Sequence, residues 1–459
     1  MATSEHTRFA YKSLDDIRAD LRRMGLRLPI CEDLSPLTAP LEQTGMRLPN
    51  RLCILPMEGC DATDKGAPTN LTVRRYRRFA GGGAGLVWAE ANAVVQEGRA
   101  NPRQLYLNSR TLDAFAAMTA EMDEAARSAY PDHPQHHPYK VLQLTHSGRY
   151  AKPDYDNGEA VCAQENPYLD PYLPPNHRVI TDDELDQLIP AYVNAAVLAA
   201  RAGFDAVDVK ACHLYLLSEL LGSRGRPGKY GGAYENRTRL LFEILDRIQE
   251  KTGGLGVAAR INGYDALPYP YGFGVSRDET AVPDLEESVR LVQELAAHGV
   301  RLLAVSVGNP YYNPHIGRPY DVGPYTPFSH QLADTVRILE ITRTLQQAAP
   351  QVAVVSTGMS WLRQFAAPIA AGCIRDGWFT VAGFGRQAFA YPDFARDIVQ
   401  DGGMRPDKCC VCCSSCTTIM RCRGTTGCPV RDKEVYGPIL RACTEGKPKT
   451  DGRRLRDHI

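Results

Sequence analysis

From about residue 50 onward the chain alternates between two hydrophobic periods. Short runs rich in aliphatic and β-branched residues fall at 52–55, 85–89, 140–144, 205–209, 256–260, 302–307, 352–356 and 378–381. Between them, apolar residues recur at the three- and four-residue spacing of amphipathic helices, over 71–80, 112–128, 182–202, 237–251, 285–297, 331–347, 361–371 and 386–400. Thr181 followed by Glu184 predicts a capping box at one helix start, and Gly203 predicts its stop. Strand–helix alternation requires parallel strands joined by crossover helices. Eight such units predict a closed (β/α)8 barrel of the α/β class in preference to an open doubly wound sheet.

This pattern divides the chain into an N-terminal extension over 1–40, with a helix at 14–24, a barrel over 41–402, and a C-terminal segment over 403–459 that ends in a basic tail. Three long aromatic, Pro- and Gly-bearing stretches, 149–179, 264–277 and 309–329, each follow a strand. They are expected on the C-terminal face of the barrel, where lids and binding sites form.

Composition narrows the class. Lys+Arg and Asp+Glu are equal at 53 each, so the chain carries no electrostatic case for nucleic acid or an anionic membrane. No apolar run approaches the ~18 residues of a membrane span, and residues 1–28 lack the apolar centre of a secretory signal. A cytoplasmic location is therefore expected, with cysteines held reduced. That matters because 7 of the 14 cysteines lie between Cys409 and Cys428.

Four of these are spaced Cys409-x2-Cys412-x3-Cys416-x11-Cys428. Converging thiolates make a soft-ligand metal site. A zinc knuckle is one reading, although zinc usually takes two separated pairs. A radical-type cluster is a second, since Cys409-x3-Cys413-x2-Cys416 is also present. The favoured reading is a four-cysteine [4Fe–4S] cluster that passes electrons, with Cys410, Cys413 and Cys422 as bystanders.

A one-electron cluster beside a barrel calls for a partner that also handles electron pairs, and flavin is such a group. The strand ends carry suitable parts. The run Asn50-Arg51-Leu52-Cys53-Ile54-Leu55-Pro56-Met57-Glu58-Gly59 leads from a strand into a loop, and Gly81-Gly82-Gly83-Ala84-Gly85-Leu86 feeds a strand that ends Glu90-Ala91. Gln143 and His146 close the third strand, and Lys210, His213 and Tyr215 follow the fourth. Arg260 closes the fifth, Gly358 follows the seventh, and Gly385-Arg386 follow the eighth.

With Tyr230-Gly231-Gly232, Arg237 and the cysteine spacing, these stretches resemble the Old Yellow Enzyme family of FMN barrels. Within it they are similar to the subgroup that includes bacterial 2,4-dienoyl-CoA reductase and trimethylamine dehydrogenase, over roughly residues 40 to 430. The resemblance implies that Pro56, Met57, Glu58 and Ala91 contact the flavin ring and that Gln143 hydrogen-bonds its pyrimidine edge. It implies that Arg260 faces N1 and O2, that Gly358, Gly385 and Arg386 hold the phosphate, and that Cys409, Cys412, Cys416 and Cys428 hold the cluster.

At the substrate end, Lys210 replaces the first histidine of the family's usual pair, while His213 and the following Tyr215 stay in register. The expectation is that Lys210 and His213 bind a carbonyl or carboxylate oxygen and Tyr215 donates a proton. The bland reading pairs Lys210 with Asp208 or Glu90. The aromatic loops 264–273 and 311–325 are expected to wall a pocket for a flat substrate. His133, His136 and His137 precede the third strand, at the end away from the site, and read as a solvated loop.

The larger relatives append dinucleotide-binding domains, whereas here no Gly-x-Gly-x-x-Gly follows a strand. The implied function is a flavin-dependent ene-reductase carrying FMN and a [4Fe–4S] cluster. Electrons would come from a separate ferredoxin or NAD(P)H-dependent flavoprotein, or from NAD(P)H directly, and a homo-oligomer is allowed. Its rivals are an amine dehydrogenase or N-demethylase that sends electrons outward, and a non-catalytic electron-transfer subunit.

Overall fold

The structure, a computed structural model, describes residues 5–43, 45–133, 136–155 and 159–445; the basic tail lies outside these. Eight strands form one sheet: β1 (Leu52–Ile54), β2 (Leu86–Ala93), β3 (Tyr139–Thr145), β4 (Ala206–Ala211), β5 (Gly256–Tyr264), β6 (Leu302–Val307), β7 (Ala353–Val355) and β8 (Ala382–Phe384). Neighbours in sequence are neighbours in space, all parallel, and β8 pairs with β1. The seam between β7 and β8 closes through a bridge from Val355 to Val381, so the sheet becomes a barrel. Its connecting helices include Asn70–Gly81, Leu112–Ala129, Asp182–Arg201, Tyr234–Thr252, Glu286–Ala297 and Gln331–Ala348.

Two apolar layers follow from strand alternation. Cys53, Leu86, Trp88, Val141, Ala258 and Ala304 fill the barrel interior. Their neighbours Ile54, Val87, Leu142, Val207, Ala259 and Leu303 face the helices. The interior layer continues downward into Leu41, Met46 and Leu48, buried residues of an antiparallel hairpin (Leu41–Gln43 with Met46–Leu48). The hairpin plugs the N-terminal mouth. Nothing in the strand–helix alternation announced it.

Family-like residues far from the site have structural tasks here. Asn50 accepts from the Leu52 and Gly85 amides at 3.1 and 2.8 Å and donates to the Gly83 carbonyl at 2.8 Å. It thereby stitches the start of β1 to the turn before β2. A side chain at Gly85 would place Cβ 2.3 Å from the Asn50 carbonyl, so only glycine fits. Thr181 and Glu184 form the predicted capping box. Arg237 bonds to the carbonyls of Leu221 and Gly232 and to Glu287.

Three expectations need correction. The eighth strand is Ala382–Phe384, not 378–381. Trp378 and Phe379 are buried apolar side chains that pack in the helix layer, and the apolar run was their signature. The helix expected over 361–371 is a 3-10 segment (Met359–Phe365) followed by Ala366–Arg375, kinked where Arg363 adopts φ 51°. The helix expected over 386–400 is split into Arg386–Ala390 and Phe394–Asp401, because Pro392 lacks the amide that would continue it.

The C-terminal segment adds two helices, Ser415–Arg421 and Lys433–Thr444, which pack on each other. Arg74 and Arg78 of the first barrel helix both bond Asp432, at 2.8 and 2.5 Å, and the Thr426 amide donates to the Gly59 carbonyl at 2.6 Å. The cysteine segment is thus fastened to the loop that leaves β1.

Candidate active site

At the C-terminal end of the strands the interior layer turns polar. Gln143 on β3, Asp208 and Lys210 on β4, Arg260 on β5 and Ser306 on β6 occupy the inward positions and are all buried. Gln143, Lys210, Arg260 and Ser306 line one cavity, which with its open mouth holds about 1290 Å³ of atom-free space, and Asp208 supports them from beneath. Every residue expected at the flavin, from Pro56, Met57, Glu58 and Ala91 through Gln143 and Arg260 to Gly358, Gly385 and Arg386, lines this cavity. So do Lys210, His213 and Tyr215.

The floor is held by a residue the sequence reading weighed only as a partner for Lys210. Asp208 Oδ2 accepts from Gln143 Nε2 at 2.6 Å and from Trp88 Nε1 at 3.0 Å. Burial pushes its carboxyl up to about 6, and the Gln143 hydrogen bond and the nearby Arg260 oppose that shift. By accepting one N–H of the Gln143 amide, Asp208 fixes its orientation and leaves the second N–H and the amide oxygen for other partners. Arg260 is oriented by Ser306, whose hydroxyl accepts from Nε at 2.9 Å.

The alternative pairing of Lys210 is not what forms. Asp208 serves Gln143 and Trp88, while Glu90 is engaged with the guanidinium of Arg75 and accepts from the Gly59 amide at 2.7 Å. Lys210 Nζ instead stands 3.6 Å above the centroid of the Tyr215 ring. Burial lowers its pKa, with charge from Cys212 and Glu58 opposing.

Tyr215 reaches the cavity through an unusual turn. His213 and Leu214, neither of them glycine, both lie in the left-handed region at φ 66° and 55°, a conformation that costs roughly 1–2 kcal/mol per residue. Their amides donate to Asn262 Oδ1 at 3.3 Å and Ser218 Oγ at 3.2 Å, which holds the turn. The Tyr215 hydroxyl then lies 3.1 Å from that of Tyr311 and 3.4 Å from Glu58 Oε1. Burial raises the Tyr215 pKa far above its usual value, and the Glu58 charge adds to this. Burial likewise raises Glu58, against the opposing charge of Lys210. His213 is kept neutral, first by burial and then by the cations Arg260 and Lys210.

The aromatic wall differs from expectation. Tyr311 lines the cavity, and Tyr150, from the loop after β3, stacks on it at 4.0 Å between centroids. None of residues 264–273 lines it. Leu267 of that loop packs instead with Leu169 and Leu214, with Tyr271 against them, and so buttresses the left-handed turn from behind.

The residues present fit a flavin mononucleotide on physical grounds. Arg386 Nη1 and Arg318 Nη2 are closed off from solvent without an acceptor among the described residues, beside Gly358 and Gly385. Two such unpartnered guanidinium nitrogens suit an anion, and a phosphate matches them.

The cysteines are less uniformly arranged. Cys412, Cys416 and Cys428 line one small cavity together with Cys410, Cys413 and Arg386. The Cys409 thiol instead donates to the Arg405 carbonyl at 3.4 Å. Among the described residues no three side chains are drawn to metal-binding distance of one another. The donor type suits a soft metal centre, and Cys409 would have to leave Arg405 to join it. His136, of the histidine loop, stacks on Tyr130 at 4.0 Å.

Comparison with known proteins agrees with this architecture. Residues 36–401 match the model of the NADH:flavin oxidoreductase / NADH oxidase family. An NADPH dehydrogenase of Geobacillus sp. (strain WCH70) is 28% identical over 329 residues, which cover 70% of this chain and 84% of that protein. Among solved structures, a 2-naphthoyl-CoA reductase complex superposes with TM-score 0.70 at 20% identity, covering 89% of this chain and 58% of that one. The 6-hydroxypseudooxynicotine amine oxidase of Pseudomonas geniculata N1 follows with TM-score 0.67 at 21% identity, covering 88% and 55%. The chain therefore spans a little over half the length of these two proteins. A closed barrel whose C-terminal cavity gathers a flavin's expected contacts, and a family match across that whole barrel, make this chain an oxidoreductase of the NADH:flavin oxidoreductase family, the Old Yellow Enzyme family of flavin barrels.

Proposed function

We propose that this chain is an ene-reductase that reduces an alkene activated by a carbonyl or carboxyl group. Its FMN would be held by Pro56, Met57, Glu58, Ala91, Gln143, Arg260, Gly358, Gly385 and Arg386, and a [4Fe–4S] cluster by Cys409, Cys412, Cys416 and Cys428. The observation that carries this reading is one wall of the cavity. There Lys210, a neutral His213 and the protonated Tyr215 hydroxyl sit together above the Gln143–Arg260 floor.

The division of labour follows from the chemistry of each group. The substrate oxygen accepts from Lys210 Nζ and from an imidazole N–H of His213, which offsets the negative charge that grows on it during reduction. Lys210 supplies an amine donor, and His213 supplies a directed hydrogen bond that does not depend on pH across the physiological range. FMN, when bound, supplies the hydride. Tyr215 Oη gives its proton to the carbon next to the carbonyl, and Lys210 over the ring steadies the phenolate left behind. Glu58 and Tyr311, both within reach of Oη, are placed to restore that proton. Reducing equivalents would arrive at the cysteine segment from a ferredoxin or an NAD(P)H-dependent flavoprotein, or from NAD(P)H in the cavity.

The test is direct. Anaerobically purified protein, reduced with dithionite, is mixed with a panel of enones, enoates, dienoyl thioesters and methylamines. Reoxidation of the flavin by an activated alkene, with formation of the saturated product, supports the reading. Reoxidation by none of them, together with reduction of the oxidised flavin by an amine, overturns it. That second outcome has its own motive: Glu58 with Tyr215 and Tyr311 sets a carboxyl group among aromatic rings, a wall suited to a substrate ammonium. It would make the chain an amine dehydrogenase.

A further inference from the structure

Arg318 plays no part in the steps above, yet one of its guanidinium nitrogens is buried without an acceptor among the described residues. It follows the short helix Pro314–Gly317 in the loop after β6 and lines the cavity with Arg386 and Arg421. The like charges of Arg386 and Arg421 bear directly on it. Its Nη2 has no acceptor among the described residues, and neither has Arg386 Nη1. Leaving one buried nitrogen of each guanidinium without an acceptor is unfavourable, and an anion in the cavity would relieve it.

Its other nitrogen faces the opposite way. Arg318 Nη1 donates to Thr417 Oγ1 at 3.3 Å, on the helix Ser415–Arg421 that begins beside Ser414 and carries Cys416. Arg386 repeats this two-sidedness. It lines the flavin cavity and the cysteine cavity alike, and its Nη2 donates to the Pro319 carbonyl at 2.7 Å, next to Arg318 in the chain. One end of the cavity is therefore a cationic seam between the barrel and the C-terminal segment.

We propose that Arg318 is a phosphate ligand of the bound flavin and, through Thr417, the latch by which that phosphate holds the cysteine-bearing helix against the barrel. This rests on the flavin reading. It adds that loading of FMN and docking of the cysteine segment are one coupled event. A flavin without a phosphate would fill the ring site and leave the segment loose.

FMN and riboflavin share the ring and differ in the phosphate, so titrating apoprotein with each isolates the contact. Arg318→Leu should weaken FMN ~10-fold or more, the scale of a lost charge-assisted hydrogen bond, and leave riboflavin affinity unchanged. Limited trypsin digestion reads the latch at the exposed Arg421 and Arg423. FMN should slow cleavage there in the native chain but not in Arg318→Leu or Thr417→Val, and riboflavin should slow it in none of them. Equal FMN affinity in native and Arg318→Leu protein, equal loss for both flavins, or undiminished FMN protection in the variants would overturn the proposal while the flavin reading stands. Binding of neither flavin by the native chain would sink both. Should Arg318→Leu fail to fold, Arg318→Gln carries the same comparison, and Arg318→Lys should recover part of the FMN preference.

Discussion

Replacing Asp208 by Asn isolates the cost of a charge beneath the flavin floor. Asp208 is fully buried, and its folded-state pKa is raised from 3.8 to about 6, chiefly by burial. A carboxyl whose folded pKa lies above its unfolded value favours the fold while protonated. Its contribution is complete below the unfolded pKa and is lost as pH rises through the folded one. The difference between 3.8 and about 6 corresponds to about 3 kcal/mol at 1.36 kcal/mol per unit. Both donors, Gln143 Nε2 and Trp88 Nε1, converge on the single atom Oδ2. An Asn amide with its oxygen in that place keeps both bonds and sheds the charge. Asp208→Asn should therefore gain about 3 kcal/mol relative to the native chain between about pH 4 and pH 7. Urea unfolding of the two holoproteins, run in parallel at pH 4, 5, 6 and 7, reads this difference, and contributions common to both cancel. Parallel stability curves over that range would refute the reasoning, because Asp208 would then ionise alike in both states. Flavin retention is the second readout: replacement by Ala removes the acceptor, frees the Gln143 amide to turn, and should weaken FMN binding ~10-fold.

Tyr215→Phe should retain FMN but slow the protonation step, lowering turnover of an enone by about 10²–10⁴-fold; stopped-flow reduction and steady-state rates together check it, and unchanged turnover removes Tyr215 from the chemistry. Cys416→Ser and Cys428→Ser should abolish iron and sulfide in anaerobically purified protein. Cys422→Ser, whose thiol donates to the Cys443 carbonyl at 3.6 Å, should leave both intact. Glu58→Gln removes an anion beside Lys210 and Tyr215, so binding of carboxylate-bearing enoates should strengthen over that of neutral enones by about 1 kcal/mol, or roughly fivefold; competitive flavin-perturbation titrations measure the ratio.

Much of the barrel could be read from the chain because strand and helix periods are set locally. A residue in β2, β3 or β5 faces the interior or the helices according to its place in a two-residue repeat, and Trp88, Val141 and Ala258 follow that repeat. The reading failed where apolar residues were buried for another reason. Trp378 and Phe379 look like a strand because they are buried, although they pack among helices and the strand begins at Ala382. It also missed the hairpin Leu41–Leu48, whose few apolar residues acquire meaning only as the plug of a barrel that closes over them.

In the site the same boundary recurs. Lys210, His213 and Tyr215 are close in sequence and were legible as a group. Glu58 lies 157 residues from Tyr215 and Tyr311 lies 96 away, and no local pattern announces that their hydroxyl and carboxyl groups meet. Arg318 resembles any loop arginine until its neighbours are found to be Arg386 and Thr417. Two residues in one loop, Leu267 and Tyr271, carried the aromatic and apolar signature of a pocket wall, yet they brace the turn at Leu214.

The chain by itself thus determined the barrel, the order of its strands, the inward positions at their ends and the cysteine spacing, because each depends on residues a few places apart. Only the tertiary structure decided which buried polar groups share a cavity and which satisfy one another. Asp208 went to Gln143, Lys210 was left over Tyr215, and one nitrogen each of Arg318 and Arg386 was left without an acceptor among the described residues, because desolvated charges must be matched in space across separations that sequence order does not record.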